Sequence, residues 1–276
     1  SSRTLSEFYI IDHSTNTAEA ATHNGGNAGK GGDFLYRWGN PQSYDKGTIN
    51  DQKLFGQHNV HWIPDSLQDG GKIMIFNNGQ GRGYSSTDIL NPPKDINGNY
   101  FLNTNNTFDP DSAEWNYTDP TPNSFYASSI SGGQRLAGGN TLICDGAHGT
   151  FFEVDDTKSK VWEYVNPVIN TGPLSQGDPI ATSQNGWANS TFRCTRYSPD
   201  YPGLLGQNLV AGIPLELNPL PSNCEMNTSI TEFINTERKL LYITDLLGRK
   251  TKVQVNKILL YIYDDGTVEK RINTVF

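Results

Sequence analysis

Apolar positions along this chain recur in short alternating runs closed by Gly, Asn or Pro, which is the period of strands rather than of helices. An aromatic strand ends on Asn-Pro or Asp-Pro three times, in LYRWGNP (35–41), AEWNYTDP (113–120) and VWEYVNP (161–167). Two of these follow matching strand-and-turn segments, GGKIMIFNNGQGRG (70–83) and GGNTLICDGAHG (138–149). Before each lies a further predicted strand, GQHNVHWIP (56–64) and FYASSISGGQRL (125–136). The unit is strand, Gly hairpin, strand, polar loop, strand and an outer strand bearing Trp. Four strands in about 45 residues is the pattern of a propeller blade. The first unit is stretched by NPPKDINGNYFLNTNNTFDP (91–110), expected to be a surface loop. The opening SSRTLSEFYIID reads as strand, and ANSTFRCTRY (188–197) as the first strand of one more repeat. The count is two complete blades plus fragments, whereas a closed ring needs at least four. A partial propeller, with the missing blades supplied elsewhere or upstream of Ser1, is the expectation.

The tail changes character. Residues 237–276 hold eight Lys and Arg against five Asp and Glu, which leaves a net charge of −11 on the first 236 residues. KLLYITDLLGRK and NKILLYIYDDGTVEKRI read as strands around a Gly turn and a DDG turn. Three parts are expected: a β-propeller portion at 1–205, a Pro-rich linker at 206–225 and a small β-sandwich-like module at 226–276.

Composition agrees with an all-β chain. Gly 28, Pro 15 and Asn 28 make about a quarter of the 276 residues, too many turn formers for long helices. Aromatic residues at 11% supply a core and exclude disorder. The net charge of −8 argues against nucleic acid as the main partner. No apolar run approaches the ~20 residues of a membrane span. Cys144, in an apolar strand, reads as a buried thiol. Cys194 and Cys224 flank a Pro-rich segment and can pair in an exported protein, a point that spacing leaves open.

Candidate chemistry is sparse. Of five histidines, His13 and His23 fall in the polar loop DHSTNTAEAATHNGG. His58 and His61 stand three apart in a predicted strand, which places them on opposite faces and argues against a shared metal. His148 follows a strand, in CDGAHG, and Arg82 holds the equivalent turn of the preceding repeat, in NNGQGRGY. There is no G-x-S-x-G, no cysteine pair at metal spacing, and no strand-to-helix context for a phosphate loop. No cofactor or metal is called for.

The ordered set GQHNVHW, IMIFNNGQGRG, FYASSISGGQRL…GNTLICDGAHGTFFEV and VWEYVNP resembles the bacterial arylsulfotransferase family over roughly residues 1–205. The resemblance implies a six-bladed propeller whose central histidines move a sulfuryl group from an aryl sulfate to a phenol without a nucleotide. It implies His148 as the nucleophile that becomes sulfated, His58 as a second active-site histidine and Arg82 as the active-site arginine. A further family histidine lies upstream of the strand that begins at Ser1. ITDLLGRK and LLYIYDDGTVEKRI resemble the C-terminal sorting modules of the type IX secretion system of Bacteroidetes. That implies secretion machinery as a partner, and a secreted or cell-surface location reached across the outer membrane. The alternative is a non-catalytic secreted propeller that binds carbohydrate or protein.

Overall fold

The architecture is that of a computed structural model, which describes residues 1–183, 186–210, 212–219, 239–246, 248–263 and 268–272. The chain divides into two compact units, Ser1–Leu220 and Pro221–Phe276. Among the described residues the one α-helix is the single turn Thr17–Ala20, closed by a capping box between Asn16 and Glu19.

In the first unit, β1 (Phe8–Ile11) and β2 (Phe34–Trp38) form an antiparallel ribbon. β3 (His58–Trp62), β4 (Ile73–Asn77), β5 (Ser86–Leu90) and β6 (Trp115–Tyr117) form a four-stranded meander in chain order. β7 (Gly132–Arg135), β8 (Thr141–Asp145), β9 (Thr150–Val154) and β10 (Lys160–Val165) form a second. Both are antiparallel and open, as the repeat pattern requires. Two-residue ribbons follow, β11 (Val168–Ile169) with β12 (Gly172–Pro173) and β13 (Thr182–Ser183) with β14 (Gly186–Trp187).

Strand β4 is buried along its whole length because both its faces are covered. Ile73 and Ile75 pack with Phe8, Tyr36, Trp38 and Leu54 beneath the β1–β2 ribbon. Phe76, on the opposite face, meets Tyr117, Phe125, Ile143, Phe152 and Val154 between the two meanders. Phe125 and Phe152 lie edge to face at 5.4 Å. The layers therefore stack as ribbon, first meander and second meander. The SGGQR sequence makes the close contact possible, because a Cβ on Gly132 would lie 2.3 Å from Asn59 Oδ1.

Three readings change. In 125–136 only Gly132–Arg135 is strand, and the residues before it serve as carbonyl acceptors for the first meander. The 91–110 insert is exposed at Ile96, yet Tyr100 and Phe108 tilt onto Tyr36 at 5.2 and 5.1 Å. Residues 188–197 form no strand. They cross the face of the second meander that carries Gln134 and Glu153, and a segment lying on a face cannot extend the ladder. Side chains hold it instead: Gln134 and the Arg196 backbone exchange bonds of 2.9 and 2.8 Å, and Arg196 pairs with Glu153 at 2.6 Å.

In the second unit β15 (Leu240–Thr244), β16 (Ile258–Tyr263) and β17 (Val268–Ile272) form an antiparallel sheet. Strict alternation in β16 buries Leu259, Tyr261 and Tyr263 with Ile243. Cys224 lies outside the described residues.

Candidate functional site

The β8–β9 turn builds its own histidine site. Asp145 ends β8, caps the 3₁₀ turn Gly146–His148, and accepts the His148 backbone N–H at 3.3 Å. The same carboxylate lies 2.9 and 2.8 Å from His148 Nδ1. A carboxylate only accepts, so Nδ1 carries the hydrogen and Nε2 is left with its lone pair. The bond to Asp145 raises the His148 pKa above its ordinary value, against the lowering effect of burial. The Trp187 ring meets the imidazole edge to face at 5.2 Å. Beside it opens a cavity of about 310 Å³ whose walls include Phe125, Phe152, Thr150 and Lys160. Lys160 sits 4.8 Å from the Phe152 ring centroid and pairs with Glu163 at 2.5 Å. The site thus offers an oriented imidazole and aromatic walls, with Lys160 held against Glu163 and the carboxylates Asp119 and Asp145 on the same wall.

His58 opens β3 and is held as firmly. Its Nδ1 is 2.7 Å from Asn78 Oδ1. Asn78 is fully buried, and its amide nitrogen donates to Ala127 O at 2.8 Å and Ile130 O at 3.1 Å. Two carbonyl acceptors fix which end of the amide is oxygen, so His58 Nδ1 is again the donor.

Arg82 lies in the β4–β5 turn, and Gly79 beside it, at φ +75°, would place a Cβ 1.7 Å from Tyr84 O. The guanidinium donates to Tyr84 O at 3.0 Å and Ser86 Oγ at 2.7 Å, and lies over the Tyr84 ring at 4.3 Å. Burial lowers its pKa while the charge of Asp88 opposes that, and burial raises Asp88 in turn.

All three residues stand at one end of the paired meanders: the start of β3, the β4–β5 turn and the β8–β9 turn. A hydrogen-bond path runs from His58 through Asn78 to Ile130. The next residue, Ser131, accepts the Gly146 N–H at 2.9 Å at the start of the His148 turn. The cavity beside His148 is lined by neither His58 nor Arg82.

His58 and His61 share a face, contrary to the spacing argument. Their partners on β4 are Phe76 and Met74, two residues apart, because β3 carries a bulge with Asn59 at φ 52°. His61 Nδ1 lies 2.9 Å from Asn59 O, and burial lowers its pKa. His61 lines a separate cleft with Trp62, Arg135, Arg193 and Cys194. His23 pairs with Asp33 at 2.7 Å in an exposed loop. No cluster of metal-ligating residues occurs among the described residues, nor does any helix long and apolar enough to cross a membrane.

Sequence alone does not single out Asp145, Lys160 or Trp187. The Asp-x-x-His spacing inside CDGAHG was the available signal for the first; Trp187 reaches His148 from 39 residues away.

The described chain is thus a mostly β protein of open antiparallel sheets with an oriented histidine at a strand-end turn. Residues 45–173, under half of the chain, match the family model for arylsulfotransferase (ASST), which points to aryl sulfate sulfotransferase activity in general. His58, Arg82, Asp145 and His148 all fall inside the matched stretch. None of the curated proteins matches the chain.

Proposed function

We propose that this chain carries the sulfuryl-transfer site of an aryl sulfate sulfotransferase, working through a sulfo-histidine at His148. The observation that carries this reading is the His148–Asp145 pair within the ASST-matched stretch. His148 Nε2 attacks the sulfur of an aryl sulfate, the S–O(aryl) bond breaks, and the aryloxide leaves with its electron pair. A phenol then gives up its proton to solvent and attacks the same sulfur, and the S–N bond returns its electrons to Nε2. Asp145 keeps Nδ1 protonated and stabilises the cationic ring that forms in the first step. Lys160 at the cavity wall supplies positive charge to the sulfuryl oxygens, and Arg82 and His58, from the neighbouring strand ends, add to it when His58 is protonated at Nε2 as well as Nδ1. Phe125, Phe152 and Trp187 receive the aryl ring.

On this reading the two meanders are successive blades of a six-bladed propeller. Residues 206–225 act as linker and 226–276 as an address read by the type IX secretion machinery, delivering the protein outside the cell. The family resemblance and the strand pattern of the tail support this.

The engagement of Arg82 with Tyr84 and Ser86 favours a second reading, a non-catalytic binding module that keeps the fold alone. One assay separates them. Transfer from 4-nitrophenyl sulfate to phenol should be seen with the parent chain, be abolished in His148→Asn and be largely kept in His61→Asn. Turnover retained in His148→Asn removes the covalent mechanism; no turnover in the parent chain favours the binding module.

A further inference from the structure

Sulfuryl transfer makes no use of the cysteines, yet two of them meet. Cys144 is the fourth residue of β8 and is buried; Cys194 is half-buried in the segment that crosses the second meander. Cys144 shares its face of β8 with Leu142, the ladder partner of Gln134, so it lies on the face that this segment crosses; each sulfur perturbs the other's titration, and both are free thiols. Their approach is held from several sides. Thr191 N–H donates to Gly146 O at 2.8 Å, Ser131 N–H donates to Phe192 O at 3.1 Å, and Arg196 is bound to Gln134 and Glu153. Cys194 lies between these anchors.

We propose that Cys144 and Cys194 form a disulfide that staples residues 187–197 onto the second meander. The oxidant is a small-molecule disulfide such as oxidised glutathione. Cys194 thiolate attacks one glutathione sulfur and expels the other glutathione as a thiolate, giving a mixed disulfide. Cys144 then loses its proton to solvent and attacks Cys194 Sγ, releasing the second glutathione; two protein thiols and one glutathione disulfide become one protein disulfide and two glutathione thiols. Cys194 is suited to the first attack, since it is the more exposed of the two and its neighbour Cys144 lowers its pKa. Its neighbour Cys194 and burial raise the Cys144 pKa, consistent with its reacting second.

The staple acts on both ends of the segment. Trp187 lies against the His148 ring, and Arg193 lines the His61 cleft. Ordering 187–197 therefore orders groups beside two histidines, and does so whether or not the chain transfers sulfuryl groups.

The test uses the full chain, reduced, freed of reductant and equilibrated with oxidised and reduced glutathione. Remaining thiols are alkylated, and the unreduced digest is read by mass spectrometry. The expected result is one linked peptide pair, Cys144 with Cys194, and an alkylated Cys224. Cys224→Ser should keep the link, and Cys194→Ser and Cys194→Ala should both lose it. Because the bond would close a loop of about fifty residues, oxidation should raise Tm by roughly 5–10 °C in the parent chain and not in Cys194→Ala. Hydrogen exchange in 187–197 should slow on oxidation. A Cys194–Cys224 link, or three alkylated cysteines at the most oxidising ratio, would overturn the assignment.

Discussion

The His148 ring presents its Nδ1–H to the Asp145 carboxylate at 2.8 Å, across one 3₁₀ turn. That contact sets the tautomer, the direction of Nε2 and the basicity of the ring together. Asp145→Asn should therefore lower the transfer rate roughly 10²–10⁴-fold, the range of a lost orienting or proton-handling group. Steady-state kinetics with 4-nitrophenyl sulfate check it; a loss under about threefold would show that Asp145 does not orient the nucleophile.

The same bond gives the pH dependence a sign. Attack needs the neutral ring, and Asp145 raises the His148 pKa above the usual 6.5. The kcat/KM profile should rise with pH through a midpoint above that value, and Asp145→Asn should move the midpoint down. An unmoved midpoint assigns the titration to another group.

Stability follows the opposite slope. A histidine whose folded-state pKa is raised stabilises the fold fully below its unfolded value and loses that contribution as pH rises through the folded value. The stability gap between the parent chain and Asp145→Asn, from urea melts at several pH values, should shrink across that window. A gap that widens with rising pH would contradict the assigned cause.

Asn78→Ala removes the acceptor of His58, strips Ile130 O of its side-chain donor and leaves Ala127 O only the 3.4 Å bond from Ser85 Oγ. The expected cost is about 2–4 kcal/mol, read by denaturant unfolding. A cost below about 0.5 kcal/mol would mean that the junction does not depend on this amide.

Gly132→Ala should cost about 1–3 kcal/mol, because the added methyl meets Asn59 Oδ1, which already accepts the Gly133 N–H at 3.1 Å. Gly138→Ala, where a Cβ meets nothing within 4 Å, should stay within about 0.5 kcal/mol. Equal effects at the two sites would refute the close-packing account.

The strand order of both meanders was legible because alternation, turn residues and the repeated Asn-Pro and Asp-Pro stops all agree from His58 to Val165. The side-chain facing of His61 was not, since one bulged residue, Asn59, reverses the parity that spacing predicts. Segment 188–197 reads as strand from its composition, but its hydrogen bonds run to Gln134, Gly146 and Ser131, partners that no local pattern reveals. Likewise CDGAHG marks a histidine turn in sequence, whereas the placing of Trp187 against that histidine depends on tertiary packing.

The most direct test of the central claim is the fate of the sulfuryl group. The full chain is mixed with 4-nitrophenyl sulfate without acceptor, quenched at alkaline pH, digested and examined by mass spectrometry. The account predicts the mass of one SO₃ group on the peptide containing His148, lost again when phenol is added and absent in His148→Asn. Release of 4-nitrophenol with no modified histidine, or with the group on another residue, would contradict it.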